Sequence, residues 1–347
     1  MSYAAAGVDI AAAEENVRGI GRHVRSTHGP SVLGDFGAFA GLFHLTDVHD
    51  PVLVASTDGL GTKVLLGLQL GRYDVLGRDL VNLSVNDVLT AGARPLFFLD
   101  YVGLHAIDHA TMNALVAGMA GACRDNGCAL LGGETAQLPD LYAEGHMDLA
   151  GTLVGVVERD GLIDGSSVLP GDRVWGLAST GLHTNGFSLA RRLVADLDFG
   201  SDPDGRLGQP LGDALLAAHP SYYGVVKPIL PELKAIAHIT GGGIPGNLPR
   251  VLPTAVSVEL DWGSWPVPPI FGLLQELGQV PFSEMLRVFN MGLGLIFVAP
   301  PTFDARAECP NALEVGRVVS LQVDRVMLNG VVSSEALRAE RAGSSIA

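Results

Sequence analysis

The sequence predicts an α/β (α+β) chain in two lobes, an N-terminal one over residues 1–168 and a C-terminal one over residues 169–347. Three observations carry this. The 347 residues exceed the usual size of a single hydrophobic core. Hydrophobic residues make up 48% of the chain and charged residues 17%, enough apolar material to fill two cores. Short apolar runs closed by glycine turns alternate with helix-periodic stretches on both sides of an LPGD turn, Leu169 to Asp172, which marks the boundary.

In the first lobe, Ala11 to Arg25 reads as a helix, and GDFGAFAG from Gly34 to Gly41 as a glycine loop packed by Phe36 and Phe39. PVLVAS, Pro51 to Ser56, is a short buried strand that enters DGLGTK, Asp58 to Lys63, before a helix-like VLLGLQLG. Strand, glycine turn, then helix presents backbone N–H groups to an anion. The central stretch runs from Asp79 to Pro95, DLVNLSVNDVLTAGARP. Val81, Val85 and Val88 recur at helical spacing there, and Asp79, Asn82 and Asn86 form a polar stripe on another face, with Asp87 alongside. Such a stripe usually just meets solvent, and its position between two glycine-rich turns brings a ligand-facing role level with that reading. Gly92, Ala93 and Pro95 end the helix, and the mostly apolar LFFLDYV follows as a buried strand. Ala114 to Cys123 is a small-residue helix, Ala129 to Leu131 a short strand entering a GGETAQLP turn, and Leu149 to Val157 a strand.

The second lobe opens on the strand RVWGLAST and repeats the alternation. Its marked turns are GLHTNGFS, Gly181 to Ser188, and HITGGGIPGN, His238 to Asn247. A strand pair is expected over Leu286 to Pro300, and a helix with a frayed tail over the last fifteen or so residues.

Lysine and arginine number 22 against 37 acidic residues, a formal net charge of -15, which argues against nucleic acid or anionic lipid as a partner. Cys123, Cys128 and Cys309 show no metal-ligand spacing and read as small buried hydrophobes of a reduced protein. No apolar run approaches a membrane span and no leader pattern opens the chain, so a cytoplasmic location is expected.

Asp58, Asp87 and Glu134 each lie at or beside a glycine-rich turn, and three carboxylates gathered together need a counter-ion. Magnesium fits, because it prefers oxygen ligands and bridges carboxylates to nucleotide phosphates. Lys63 is placed to set a positive charge on a phosphate. Taken singly, Asp58 and Glu134 are better explained as helix caps. In the second lobe, His183 lies in a turn with Thr184, Asn185 and Ser188, where an imidazole can move a proton near neutral pH, although a lone histidine in a turn is more often structural. The Thr240 to Gly243 turn is a second anion candidate, and Asn290 in FNMGLG either shapes a strand or bonds a ligand. No G-x-S-x-G, G-x-x-x-x-G-K-[ST] or HExxH motif is present, which removes the serine hydrolase, P-loop and zincin readings. His105 and His109 read as surface residues.

Six motifs in order carry a resemblance: DGLGTK at Asp58 to Lys63, D-x4-G-A-x-P at Asp87 to Pro95, GGETAQLP at Gly132 to Pro139, GLHTNGFSL at Gly181 to Leu189, HITGGG at His238 to Gly243 and FNMGLG at Phe289 to Gly294. With them the chain resembles the phosphoribosylformylglycinamidine cyclo-ligase (AIR synthetase) family from Ser2 to the strand near Val298. The resemblance implies a homodimeric, magnesium- and ATP-dependent ligase of purine biosynthesis that closes formylglycinamidine ribonucleotide to aminoimidazole ribonucleotide. The likeness implies an ATP site near a dimer interface made by the N-terminal sheets. It assigns Asp58, Asp87 and Glu134 to the magnesium–ATP end, with Gly59, Gly61, Thr62, Lys63, Asn86, Gly132 and Gly133 around the cofactor. It assigns His183, Thr184, Asn185, Thr240, Gly241, Gly242 and Asn290 to the ribonucleotide, and catalysis to His183, Lys63 and Asp87.

There are departures. Ala38 and Ala40 stand where relatives often carry glycines, which would strain a loop needing positive φ there. Gly21 matches a position often held by lysine, leaving Arg18 or Arg22 to replace it. Thiamine-monophosphate kinase, selenophosphate synthetase and the hydrogenase-maturation dehydratase share the ATP lobe, and GGETAQLP with the HTNG turn favours the cyclo-ligase. A non-catalytic nucleotide-binding paralogue would have lost one of the phosphate-end acids or His183, and all are present.

Overall fold

The structure, a computed structural model, describes residues 10–331, so the expected C-terminal helix and tail and the first nine residues of the start lie outside the described residues. The chain divides into two compact units. The first runs to Leu162 and also takes in Ala218–Tyr223; the second comprises Ile163–Ala217 and the chain from Gly224 onward. The change of unit falls a few residues before the LPGD turn, and the return of six residues to the first unit has no local signal in the sequence.

The first unit contains α1 (Ile10–Arg25), a two-stranded β1 (Val32–Leu33) and β2 (Leu42–Phe43), then β3 (Pro51–Gly59), α2 (Lys63–Gln69), α3 (Tyr73–Leu89), β4 (Arg94–Leu104), α4 (His109–Asn126), β5 (Ala129–Gln137) and β6 (Met147–Glu158). Its main sheet has the order β3-β6-β4-β5, with β6 antiparallel to both neighbours and β4 parallel to β5. Helix α3 covers β3 and β6 and α4 packs on β5, burying Leu149, Leu153 and Phe98 between sheet and helices. The other face is open. Leu53 is 63% exposed there, and Thr57 and Thr152 meet across the strands at 2.8 Å between hydroxyls. Helix α4 is capped by the Asp108 side chain, which accepts from Thr111 N, and ends on Gly127 with φ +68.

Two expectations are corrected here. GGETAQ is part of strand β5, not a turn. Leu286 to Pro300 is not a strand pair but the end of a helix followed by one strand. The glycine loop is relieved differently from expectation. Gly34 and Gly37 take positive φ, while Ala38 and Ala40 do not, so neither alanine is strained.

The second unit contains β7 (Arg173–Ala178), α5 (Phe187–Leu193), α6 (Leu211–Leu215), α7 (Tyr223–Val226), β8 (Ala235–His238), α8 (Gly243–Asn247), β9 (Val256–Asp261), α9 (Pro269–Gly278), α10 (Phe282–Val288), β10 (Leu293–Ala299), β11 (Leu313–Ser320) and β12 (Val326–Asn329). Its sheet has the order β12-β9-β11-β7-β10-β8. Every residue of β10 is buried, as its continuous apolar run LGLIFVA demands, and Val174, Val258, Ile296 and Val298 share one core. No helix among the described residues is long and apolar enough to cross a membrane.

Candidate functional site

Strand β3 delivers Asp58 at its C-terminal end, and α3 delivers Asp87 in its last turn. The Ser56 hydroxyl donates to Asp87 Oδ2 at 2.8 Å, so α3 is fastened to β3 two residues before Asp58. Residues i and i+2 of a strand share a face about 6.6 Å apart, which puts Asp58 on the Asp87 side of the sheet. Asp58 is exposed and accepts from Gly59 N at 2.7 Å. Gly61, with φ +54, and Thr62 then turn the chain into α2.

Glu134 does not join them within one chain. It lies on β5, paired with Tyr101 of β4, which pairs with Ala150 of β6, which pairs with Gly59 of β3. Three strand spacings of about 4.8 Å separate the two edges, roughly 14 Å. The expected cluster of three carboxylates is therefore corrected to a pair plus a distant third, and no group of three metal-ligating side chains forms among the described residues. The sequence reading failed because glycines taken as a turn are strand residues.

Glu134 instead borders a cavity of about 540 Å³ beneath α1, with Gly132, Gly133 and Asp100. Ile20, Val24 and Leu130 are among the apolar side chains that form much of its wall, and Arg18 rather than Arg22 lines it. Asp100 is a site residue that the sequence reading missed, although a lone carboxylate in LFFLDYV was its signal. Its side chain lies across Gly133, where any Cβ would collide with the carboxylate, so the second glycine of GGET serves close approach. Burial pushes the Asp100 carboxyl up to about 7; the neighbouring Glu134 charge adds to the rise and a backbone N–H opposes it. A raised carboxyl binds a proton in the folded state that the unfolded chain releases near its ordinary value of 3.8, so stability falls as pH climbs from about 4 to about 7. Asp100→Asn is expected to remove this slope, worth at most about 4 kcal/mol across that window, in urea unfolding at successive pH values. An unchanged slope would assign it elsewhere.

The polar stripe of α3 meets neither solvent nor a cavity. Asp79, Asn82 and Asn86 are buried and hold the returning segment Ala218–Tyr223. Asp79 Oδ1 accepts from His219 N at 2.8 Å, Asn82 donates to His219 O at 2.8 Å, and Asn86 donates to Pro220 O at 2.9 Å while accepting from Tyr222 N at 2.8 Å. Asn126 of α4 ties in through Asn82 and Ser221. Lys63 is corrected as well. It is fully buried, with Nζ 2.5 Å from Asp79 Oδ2, instead of reaching outward for a phosphate. Burial raises the Asp79 carboxyl and the Lys63 ammonium opposes that rise.

In the second unit, the turns after β7 and β8 come together. A Cβ on Gly241 would sit 3.3 Å from Asn185 Oδ1, so the HTNG and TGGG turns are neighbours. Thr184, Asn185 and Thr240 are half-buried and Gly241 and Gly242 exposed. Helices α5 and α8 have only seven and five residues, so side chains and turn N–H groups, not a helix dipole, supply the donors. Asn247, another residue the sequence reading did not single out, shapes the glycine turn by donating to Thr240 O, Gly241 O and Gly243 O. Gly243, at φ +60, packs where a Cβ would strike Leu286 O.

His183 and Asn290 support these turns from inside. Asn290 donates to Gly181 O at 2.8 Å and accepts from Ser179 Oγ at 2.9 Å and Gly292 N at 3.0 Å, joining the end of β7 to the start of β10. His183 is fully buried at φ +60, and its Nε2 accepts from Thr180 N at 3.3 Å. The expected proton-transfer residue is thus packed within the turn rather than presented from it.

Two family models match the chain: the AIR synthase related protein N-terminal domain over residues 37–157 and its C-terminal domain over residues 170–329. A phosphoribosylformylglycinamidine cyclo-ligase of Myxococcus xanthus (strain DK1622) is 48% identical over 330 residues, covering 91% of this chain and 95% of that protein. One of Anaeromyxobacter sp. (strain Fw109-5) is 49% identical over 315 residues, with 88% and 91% covered. Among solved structures, a thiamine-monophosphate kinase from Stenotrophomonas maltophilia K279a aligns with TM-score 0.67 and 18% identity over 92% of this chain and 96% of that one. The hydrogenase maturation protein HypE in complex with ATP aligns with TM-score 0.62 and 20% identity over 88% of each. At such identities the likeness is one of fold.

Proposed function

The chain belongs to the AIR synthase related family, and from that premise we propose that it closes formylglycinamidine ribonucleotide to 5-aminoimidazole ribonucleotide with ATP, releasing ADP and phosphate in purine biosynthesis. The observation that carries this reading over a kinase is the cyclo-ligase likeness of 45–49% identity along most of the chain, against 16–21% for the fold neighbours. Chemically, the formamide oxygen attacks the γ-phosphorus and ADP leaves; the amidine nitrogen then attacks the former formyl carbon, and the oxygen departs with phosphate. An amide oxygen leaves poorly until phosphorylated, and the attacking nitrogen is tethered in the same molecule.

Asp58 and Asp87 are the pair suited to magnesium, which takes one or two carboxylates and completes its shell with phosphate oxygens and water. Bound there, the ion supplies charge neutralisation on the phosphates. Thr184, Asn185, Thr240 and the exposed Gly241 and Gly242 N–H groups hold the ribonucleotide, with His183, Asn290 and Asn247 positioning them. Product analysis tests the reading. Substrate, ATP and magnesium should yield ADP and the aminoimidazole in equal amounts; well-folded protein giving no imidazole, or phosphorylating thiamine monophosphate instead, would refute it.

The open face of the first sheet, with Leu53 exposed, supports a homodimer made by stacking two such sheets about 10 Å apart. A two-fold axis along the strands lays β5 of one copy over β3 of the other. Asp58 and Glu134 lie within one residue of the same level across the sheet, so that arrangement sets the edge strand carrying Glu134 of one copy over the edge strand carrying Asp58 of the other. Mixing the separately impaired Asp58→Asn and Glu134→Gln chains, with subunit exchange, should restore roughly a quarter of the sites. No recovery in verified mixed dimers would place the whole site in one chain.

A further inference from the structure

A second cavity of about 330 Å³ lies at the other end of the first sheet, where β4 and β5 begin, away from Asp58, Asp100 and Glu134. Arg94 and Arg124 both line it, together with Thr27 and Ser31. In a chain of net charge -15, cations such as Arg78, Arg159, Arg173 and Arg317 are paired with carboxylates. Arg94 and Arg124 form no ion pair among the described residues. Arg94 donates to Thr46 O at 3.3 Å and Arg124 to Ser26 Oγ at 2.6 Å, which leaves most donors of each fork unspent. Arg124 is not needed to cap its helix either, because Gly127 N and Cys128 N already bond the last carbonyls of α4.

We propose that this cavity is a binding site for a small anion bearing a phosphate group, gripped by Arg94 and Arg124 and separate from the cyclisation site. Two guanidinium forks can each pair with two oxygens of a tetrahedral phosphate, and Ser31, which also lines the cavity, offers a neutral donor type. The cavity volume, at the low end for ligand pockets, admits free phosphate or a compact phosphate ester but not a macromolecule.

The test reads binding directly, so its failure is distinguishable from failure of the cyclo-ligase reading. The ¹⁵N NMR signals of the two guanidinium Nε–H groups, assigned by their loss in Arg94→Gln and Arg124→Gln, are followed in the full chain on adding inorganic phosphate, ribose 5-phosphate or acetate. Both signals should move and saturate with one of the phosphates. Calorimetry should show the corresponding affinity at least about tenfold weaker in either glutamine variant, with cyclisation at saturating substrate unchanged. Response to inorganic phosphate alone identifies the free ion; response to both phosphates identifies an ester-tolerant site. Signals that stay still, or that move equally with acetate, overturn the proposal. So does a phosphate affinity unaltered by the substitutions. The wild-type NMR arm decides the matter even if a variant misfolds.

Discussion

Asp87→Asn is expected to lower kcat/KM for magnesium ATP by roughly 100-fold or more while leaving the unfolding midpoint near that of the parent chain. The structural half of that expectation follows from the Ser56 hydroxyl, which donates to Asp87 and can donate equally to an asparagine oxygen. Helix α3 therefore stays fastened to β3. What is lost is one negative charge on the Asp58 side of the sheet, and with it the attraction for the magnesium ion proposed to bind there. The measurement is a steady-state titration of magnesium ATP at fixed ribonucleotide. A normal magnesium dependence would remove Asp87 from the phosphate end.

Lys63→Met should act in the opposite way, through stability. Removing the ammonium leaves Asp79 buried with its charge uncompensated, a loss on the order of 3–5 kcal/mol in urea unfolding. The Lys63→Met, Asp79→Asn double variant should recover much of it, since both charges are gone and an asparagine oxygen can still accept from His219 N. If Lys63 were a phosphate ligand instead, Lys63→Met would keep its stability and lose turnover. The segment Ala218–Tyr223 hangs on this pair through His219, so weakened protection of its amides against hydrogen exchange should accompany the loss.

These two residues also show what sequence alone could reach. Period and punctuation were enough for β3 and for the helix that carries Asp87, because each is decided by residues close together in the chain. Lys63 and the Asp79–Asn82–Asn86 stripe were legible as polar groups on helices, but Lys63 is spent on Asp79 of the next helix, and the partners of the stripe lie some 140 residues away in a segment with no helical or strand period. Glu134 was misplaced for a different reason. Two successive glycines ordinarily mark a turn, and here both lie in a strand, the second of them where a Cβ would strike the Asp100 side chain. His183 illustrates a third limit: a histidine in a turn reads either as structural or as available, and only packing, which buries it, decides between the two.

The chemistry proposed for the chain makes ATP an activator of one particular oxygen, and an isotope label tests that most directly. Formylglycinamidine ribonucleotide carrying ¹⁸O in its formyl group, turned over with ATP and magnesium, should deliver the label to inorganic phosphate in step with ADP and aminoimidazole formation. Label appearing in water, with unlabelled phosphate, would mean that the oxygen was never phosphorylated and would contradict the account.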